Sequence, residues 1–218
     1  MSSINGIALS SKKSPLTHWV VVCEEWRALV DRYSRVLGGE EHIFNFTERP
    51  HLGVFSAAAW RAGFIAIEEF RYEKHSDDGK YRYGRCDLWL ATDNLRRQDY
   101  IEAKQKKIHL GGKNTEAFAT RTLESALSAV KLTRGDRTDV NSVGLAFFNI
   151  CCPNPQAVTS AQILDFIEKM KGHMQTLECD LMSWSAGQCG KCACTGKRVM
   201  RDAISEQLSF DPDLAYAV

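Results

Sequence analysis

The run SVGLAFFNICC, residues 142–152, is the part of this chain that most constrains its fold. It is continuously apolar over the length of a strand and lacks the alternation of a strand with one face in water. Such a pattern is typical of a strand buried on both faces, within a sheet that helices cover. The run therefore predicts a layered fold in which helices pack on a sheet.

The segments around this run predict the helices and the remaining strands. Residues 16–37 carry an apolar stripe at helical spacing that ends at Gly38 and Gly39. A second helix is predicted from Thr47 to Gly63, a third over 115–132, and a fourth with Ser160 as its cap. Further strands are predicted at 64–72, in the two halves of 84–107 and at 179–186. This order predicts the α/β (α+β) class, with a central mixed sheet flanked by helices.

Length and composition favour one domain over residues 16–218, with a cysteine-containing C-terminal extension. Residues 1–15 are polar and rich in serine, without the apolar core of a secretory signal, and are predicted to form a disordered arm. No run approaches the roughly 18 apolar residues of a membrane span, so no membrane partner is expected. Eight cysteines without a signal peptide indicate reduced thiols and a cytoplasmic location.

The stretch GRCDLWLATDNLRRQDYIEAKQKK, residues 84–107, predicts a hairpin with charged residues on one face. If its turn centres between Asn94 and Leu95, Asp87 lies directly opposite Glu102, because both are equally far from the centre. The period of two along a strand then places Lys104 on the same face as Glu102. The other face carries apolar residues at positions 88, 90, 101 and 103.

Two opposed carboxylates repel each other unless a cation lies between them. Asp87 and Glu102 therefore predict a divalent metal site, and Mg²⁺ suits a small number of carboxylate oxygens with water completing the shell. Lys104 is placed to orient an attacking water or to stabilise charge on a phosphorus centre. The alternative is an exposed hairpin face with a cross-strand pair between Lys104 and an acid.

The stretch CDLWLATDNLRRQDYIEAK, with a helix and a strand before it and a helix and the apolar strand after it, resembles the core of the PD-(D/E)XK nuclease superfamily. The likeness to this restriction endonuclease-like fold covers roughly residues 47–152. It implies that Asp87, Glu102 and Lys104 are catalytic and that the two acids bind Mg²⁺ or Mn²⁺. The implied activity is metal-dependent cleavage of phosphodiester bonds in DNA.

Some features extend the family pattern and one departs from it. No proline precedes the aspartate, because Arg85 and Cys86 stand there. Many members carry a further acid on the first core helix, for which Glu48 is the candidate and Glu68 an alternative. Gln105, directly after the lysine, occurs at this place in some nuclease lineages.

Basic residues continue from the hairpin and are candidate DNA contacts. Lys106, Lys107 and Lys113 either bind phosphates or form a solvated strand end. Because the formal net charge is only +1, an anionic partner needs such a local patch. Trp19 and Trp26, seven residues apart, favour core or homodimer packing over base stacking.

Three cysteines near the C-terminus form a cluster, Cys189-x2-Cys192-x-Cys194. Tetrahedral Zn²⁺ needs a fourth ligand, for which Cys179 and His173 are candidates along with Cys151 and Cys152. An iron–sulfur cluster and reduced structural thiols are the alternatives.

Three functions are open at this point. The favoured one is a metal-dependent DNA nuclease, and the alternative is a catalytically inactive nuclease-like module that binds nucleic acid or a protein partner. A structural protein held together by metal at the cysteine cluster is the third.

Overall fold

The structure of the protein is a computed structural model. It describes residues 4–12, 14–38, 43, 46–75, 81–134, 141–152, 158–177, 179–186 and 213–217. Among these residues, no helix is long and apolar enough to cross a membrane.

Four helices form where the sequence carries an apolar stripe: α1 (Val20–Val36), α2 (Glu48–Arg61), α3 (Thr115–Arg134) and α4 (Ser160–Thr176). The prediction that Ser160 caps α4 is wrong, because Ser160 is the first helical residue. Thr159 is the cap instead. Its hydroxyl accepts a hydrogen bond from the backbone N–H of Gln162, whose side chain bonds back to Thr159, so the two residues form a capping box.

Among the described residues, seven strands form two sheets: β1 (Ile4–Leu9), β2 (Ile65–His75), β3 (Tyr81–Ala91), β4 (Gln98–His109), β5 (Asn141–Cys151), β6 (Leu181–Ala186) and β7 (Asp213–Ala217). The larger sheet has the order β2-β3-β4-β5-β7. Its β4–β5 pair is parallel and is joined through α3, whereas the other pairs are antiparallel. The predicted α/β class with a mixed sheet and flanking helices is confirmed.

The predicted disordered arm over residues 1–15 is wrong for Ile4–Leu9, which pairs as β1 with β6 in an antiparallel sheet. The glycine that makes this segment resemble a loop has a packing role. A Cβ at Gly6 would overlap the indole ring of Trp184, so only glycine lets the two strands approach in this way.

Both faces of β5 are buried, as the apolar run predicts. Phe147 of β5 belongs to the cluster beneath α1 and α2, and the next residue, Phe148, belongs to the cluster beneath α4. Trp19 and Trp26 are 1% and 0% exposed in the first cluster, which confirms core packing for both.

A buried carboxylate, Asp99, ties the N-terminal segment to β4 and β5. It accepts hydrogen bonds from His18 Nε2 and Trp19 Nε1, both at 2.7 Å, and from Asn141 Nδ2 at 2.8 Å. Burial alone would raise the pKa of Asp99, but these three donors outweigh it and hold the pKa below its usual value. Asp99 therefore stays ionised inside the fold.

Candidate active site

The hairpin that carries the candidate site has the register that the sequence predicts. Leu88 pairs with Ile101 and Ala91 pairs with Gln98, so the same register brings Asp87 across from Glu102. The residues of the apolar face all lie in the cluster beneath α1 and α2: Leu88, Leu90, Ile101 and Ala103. A one-residue slip would have exchanged the two faces, so this pairing is what brings the acids together.

The backbone of one residue of β4, Ala103, fixes two of the candidate side chains. The carboxylate of Asp87, which is half-buried, accepts a hydrogen bond of 2.8 Å from the backbone N–H of Ala103. Lys104 is also half-buried, and its Nζ donates to the carbonyl oxygen of Ala103 at 2.7 Å. Glu102, the residue before Ala103, is only 4% exposed.

Glu48, the first residue of α2, joins this group. Burial is the main cause that raises the pKa of Glu48, and the negative charges of Asp87 and Glu102 raise it further. The charge of Lys104 and the backbone N–H of Gln105, which donates to Glu48, act in the opposite direction. The carboxyl predicted as a third acid therefore lies within electrostatic reach of all three hairpin residues.

Cys86 is a buried thiol beside the two hairpin acids. Burial raises the pKa of its thiol to about 12, and the charges of Glu102 and Asp87 contribute to the rise. Its Sγ donates to the carbonyl oxygens of Leu88 and Ile101, at 3.2 and 3.4 Å. Cys86 is thus an inert thiol beneath the acids, as expected for a small buried hydrophobe.

The other two tentative residues lie in different positions. Glu68 is exposed and lies beside Gly53, which follows Glu48 by five residues on α2. A Cβ added at Gly53 would lie 3.9 Å from Glu68 Oε1. Gln105 donates its backbone N–H to Glu48, while its side-chain Nε2 is buried without a hydrogen-bond partner among the described residues. Gln105 therefore belongs to the surroundings of Glu48, whereas Glu68 is not among the groups that shift the pKa of Glu48.

A buried histidine lies one turn after Glu48 on α2. His51 is 0% exposed, stacks on Phe147 with ring centroids 5.3 Å apart, and accepts a hydrogen bond of 3.2 Å from Asn149 Nδ2. Burial lowers the pKa of His51 to about 4, so the ring is neutral at neutral pH. No local pattern pointed to His51, because its partners on β5 are almost 100 positions away.

The chemistry of the donor set fits a hard divalent cation. Glu48, Asp87 and Glu102 offer carboxylate oxygens, whose mutual repulsion a cation of charge +2 would relieve. Within the described ranges, no group of three or more acidic, histidine or cysteine side chains is placed to hold a metal ion. The side chains therefore fit Mg²⁺ or Mn²⁺ by type, with water ligands in the remaining positions.

Of the candidate DNA contacts, Lys106 lies nearest to the hairpin acids. It follows Lys104 by two residues and so shares its face of β4, while Lys107 points to the opposite face. Lys113 is exposed in the turn before α3. Lys106 Nζ and Arg121 Cζ lie 5.1 and 5.0 Å from the ring centroid of Phe118. Sequence reasoning missed Phe118 and Arg121, although their i, i+3 spacing on α3 is visible in the sequence.

The predicted zinc ligands Cys189, Cys192 and Cys194 lie outside the described residues. Cys179 is described: it is half-buried, and its Sγ donates to the carbonyl oxygen of Leu181 at 3.3 Å. Burial raises the pKa of the Cys179 thiol. Its zinc role stays a prediction.

Comparisons of the chain with protein-family models, with curated proteins and with solved structures find no match.

Proposed function

We propose that this protein is a metal-dependent nuclease that hydrolyses DNA phosphodiester bonds, as the PD-(D/E)XK resemblance implies. The observation that carries the proposal is that Asp87, Glu102 and Lys104 of the hairpin all lie within electrostatic reach of Glu48 at the start of α2. Three acids grouped around one lysine cost stability, because like charges repel. A fold without a use for that charge has no reason to keep it half-buried.

The acids have the role of holding the cation. Asp87 and Glu102 would hold Mg²⁺ or Mn²⁺, and Glu48 adds a third negative charge nearby. The bound cation would activate water and neutralise charge on the phosphate. The backbone N–H of Ala103 orients the Asp87 carboxylate, and that of Gln105 orients the Glu48 carboxylate. These two bonds fix the directions of side chains that repulsion alone would spread apart.

Lys104 has the role of stabilising charge at the phosphorus centre. Its Nζ is held by the carbonyl oxygen of Ala103, next to the peptide N–H that binds Asp87. The ammonium group is therefore fixed beside the acids before substrate arrives, so little reorganisation is needed during reaction. A positive charge at this position favours the extra negative charge of the pentacovalent transition state.

The DNA strand is proposed to continue from Lys104 towards α3. Lys106 and Arg121, both exposed, lie over Phe118 and add two positive charges on that side. Positively charged side chains bind the phosphates of any sequence, so this surface favours DNA affinity without base specificity.

The proposal is tested by incubating plasmid and linear DNA with wild-type protein in Mg²⁺, Mn²⁺ or EDTA. We expect metal-dependent cleavage that falls by about 10²–10³-fold in Asp87→Asn and in Lys104→Ala. Asp93→Asn is the matched control, since Asp93 is an exposed acid in the turn of the same hairpin. This control is expected to cleave at the wild-type rate.

Thermal unfolding of every variant checks that the fold is retained. Cleavage at the wild-type rate by folded Asp87→Asn would rule out the proposed site. DNA binding without metal-stimulated cleavage by the wild type would instead support the inactive binding module.

A further inference from the structure

A strained residue lies beside the candidate site. Glu69 of β2 falls between the pairs Glu68–Leu88 and Phe70–Cys86, which places it across from Asp87, and its backbone φ is 52°. A residue with a Cβ pays free energy in this left-handed region and persists there only where its surroundings hold it. Such positions are often found at functional sites.

Two arginines hold the Glu69 side chain. Arg49 Nη2 donates to Oε1 at 2.7 Å, and Arg85 Nη1 donates to Oε2 at 2.9 Å. The hydrogen bond from Arg85, together with the charge of Arg49, lowers the pKa of Glu69, so the carboxylate is ionised at neutral pH. The three side chains form a fork with one acid between two guanidiniums, called the Arg49–Glu69–Arg85 fork below.

The fork lies at the rim of the candidate site. Arg49 follows Glu48 directly on α2, and Arg85 precedes Asp87 by two residues on β3, a distance of about 6.6 Å along a strand. The two arginine side chains are 74% and 68% exposed, so a ligand in solution reaches both.

The charge of the fork suits an anion. One carboxylate between two guanidiniums leaves a net charge of +1 next to Glu48, Asp87 and Glu102, which on their own would repel a DNA backbone. The planar guanidinium also matches a phosphate, because its parallel N–H groups donate to two oxygens at once. Arginines that already lie on a carboxylate are held in the geometry that a phosphate requires.

We propose that Arg49 and Arg85 bind a backbone phosphate next to the scissile one, and that Glu69 holds both guanidiniums in place until DNA displaces it. The inference rests on the proposed nuclease function, because it assigns a further binding site for the same substrate. Its ligand is a phosphodiester of DNA and requires no particular base.

The test is the affinity of a labelled DNA duplex in EDTA, which needs no cleavage, measured by fluorescence anisotropy at several salt concentrations. Arg49→Gln and Arg85→Gln are each expected to weaken binding about fivefold, and the double variant about 25-fold. Each substitution also lowers the slope of log affinity against log salt by about 0.9. A purely structural fork would leave that slope unchanged.

Arg61→Gln is the matched control. Arg61 is the last residue of α2, half exposed, and paired with Glu25 at 2.6 Å in the same kind of surface ion pair, but at the end of the helix away from Glu48. Its substitution is expected to leave affinity and salt slope unchanged.

Glu69→Gln gives a second readout of opposite sign. In this variant the two guanidiniums have no ion pair with a carboxylate to break when DNA binds. Glu69→Gln is therefore expected to bind the duplex about fivefold more tightly. Unchanged or weaker binding by Glu69→Gln contradicts the displacement.

The outcomes separate the two proposals. If the wild type cleaves DNA and the Arg49 and Arg85 variants behave like Arg61→Gln, the phosphate site is overturned and the nuclease stands. If the wild type neither binds nor cleaves DNA, both proposals are overturned. If binding responds as expected but no metal supports cleavage, the phosphate site stands on a DNA-binding protein.

Discussion

Two buried carboxylates lie three residues apart on β4, and they have opposite surroundings. Asp99 is 2% exposed and receives three hydrogen bonds, from His18, Trp19 and Asn141. Glu102 is 4% exposed and lies near two further acids, with Lys104 two residues away. The same chemical group thus receives three hydrogen bonds at one point of the strand and lies near other charged groups at the other.

The difference distinguishes Asp99, a carboxylate that stabilises the fold, from Glu102, a carboxylate that the fold positions for another purpose. An ionised carboxylate with three donors keeps much of the solvation it loses on burial, so it adds stability. A carboxylate beside other carboxylates is repelled by them, and a bound cation relieves that repulsion. Burial alone does not distinguish the two cases, whereas the partners do.

The largest expected effect on the free energy of unfolding comes from comparing variants that remove the charge of Asp99 or of Glu102. Asp99→Asn leaves one of its three donors without an acceptor and is expected to lower the free energy of unfolding by about 3–4 kcal/mol. Glu102→Gln keeps the shape of the side chain and removes the repulsion from the other acids, so it is expected to cost clearly less stability than Asp99→Asn in EDTA. Urea unfolding measures both. A loss in Glu102→Gln as large as that in Asp99→Asn would break the comparison.

Stability is expected to fall in two steps as the pH is lowered, one from His51 and one from Asp99. The pKa of His51 is lowered to about 4, so below the usual histidine value of about 6.5 the unfolded chain binds the proton more readily. Stability is therefore expected to fall by about 3 kcal/mol as the pH falls from 6.5 to 4. The stabilisation from Asp99, whose pKa is also lowered, is lost only below the usual aspartate value of about 3.9.

Urea unfolding between pH 7 and pH 3 tests this order. His51→Gln is expected to reduce the loss of stability between pH 6.5 and pH 4. Asp99→Asn is expected to reduce the loss at pH values below the usual aspartate pKa. His109 is an exposed histidine on β4, and His109→Gln is expected to change neither. If His51→Gln leaves the upper slope unchanged, the neutral buried ring is not its source.

The smallest expected effect concerns the turn that sets the register for both acids. Leu95 is 51% exposed and has a φ of 55°, and its N–H donates to the carbonyl oxygen of Thr92 at 2.8 Å. Leu95→Gly relieves the left-handed strain and is expected to raise stability by about 0.5–1 kcal/mol without changing cleavage. Thermal unfolding and the plasmid assay measure the two quantities. Lower stability would show that the Leu95 side chain contributes packing.

Local patterns were sufficient to predict the hairpin and most of the helices. The pairing of Leu88 with Ile101 follows from turn residues and alternation within some 20 positions, so the facing of Asp87 and Glu102 was predictable. Glu48 was predictable only as an acid at the start of a helix. That α2 places it at the hairpin depends on packing between distant segments.

Features made by distant partners carried no local signal. Asp99 looks like an ordinary strand-end acid, since His18 and Asn141 lie about 80 and 40 positions away. The left-handed backbone of Glu69 was equally hidden, because the two arginines that hold it lie on α2 and β3. β1 was mistaken for an arm because the strand it pairs with, β6, lies almost 180 positions away.

The pairing of β1 with β6 has a consequence for the order of folding. The site hairpin closes a short loop, whereas Ile4 meets Ala186 across nearly the whole described chain. Closing that loop costs more entropy, and during synthesis it must wait until the ribosome has extended past residue 186. The candidate catalytic residues therefore come together early, on a nascent chain whose first strand still lacks its neighbour.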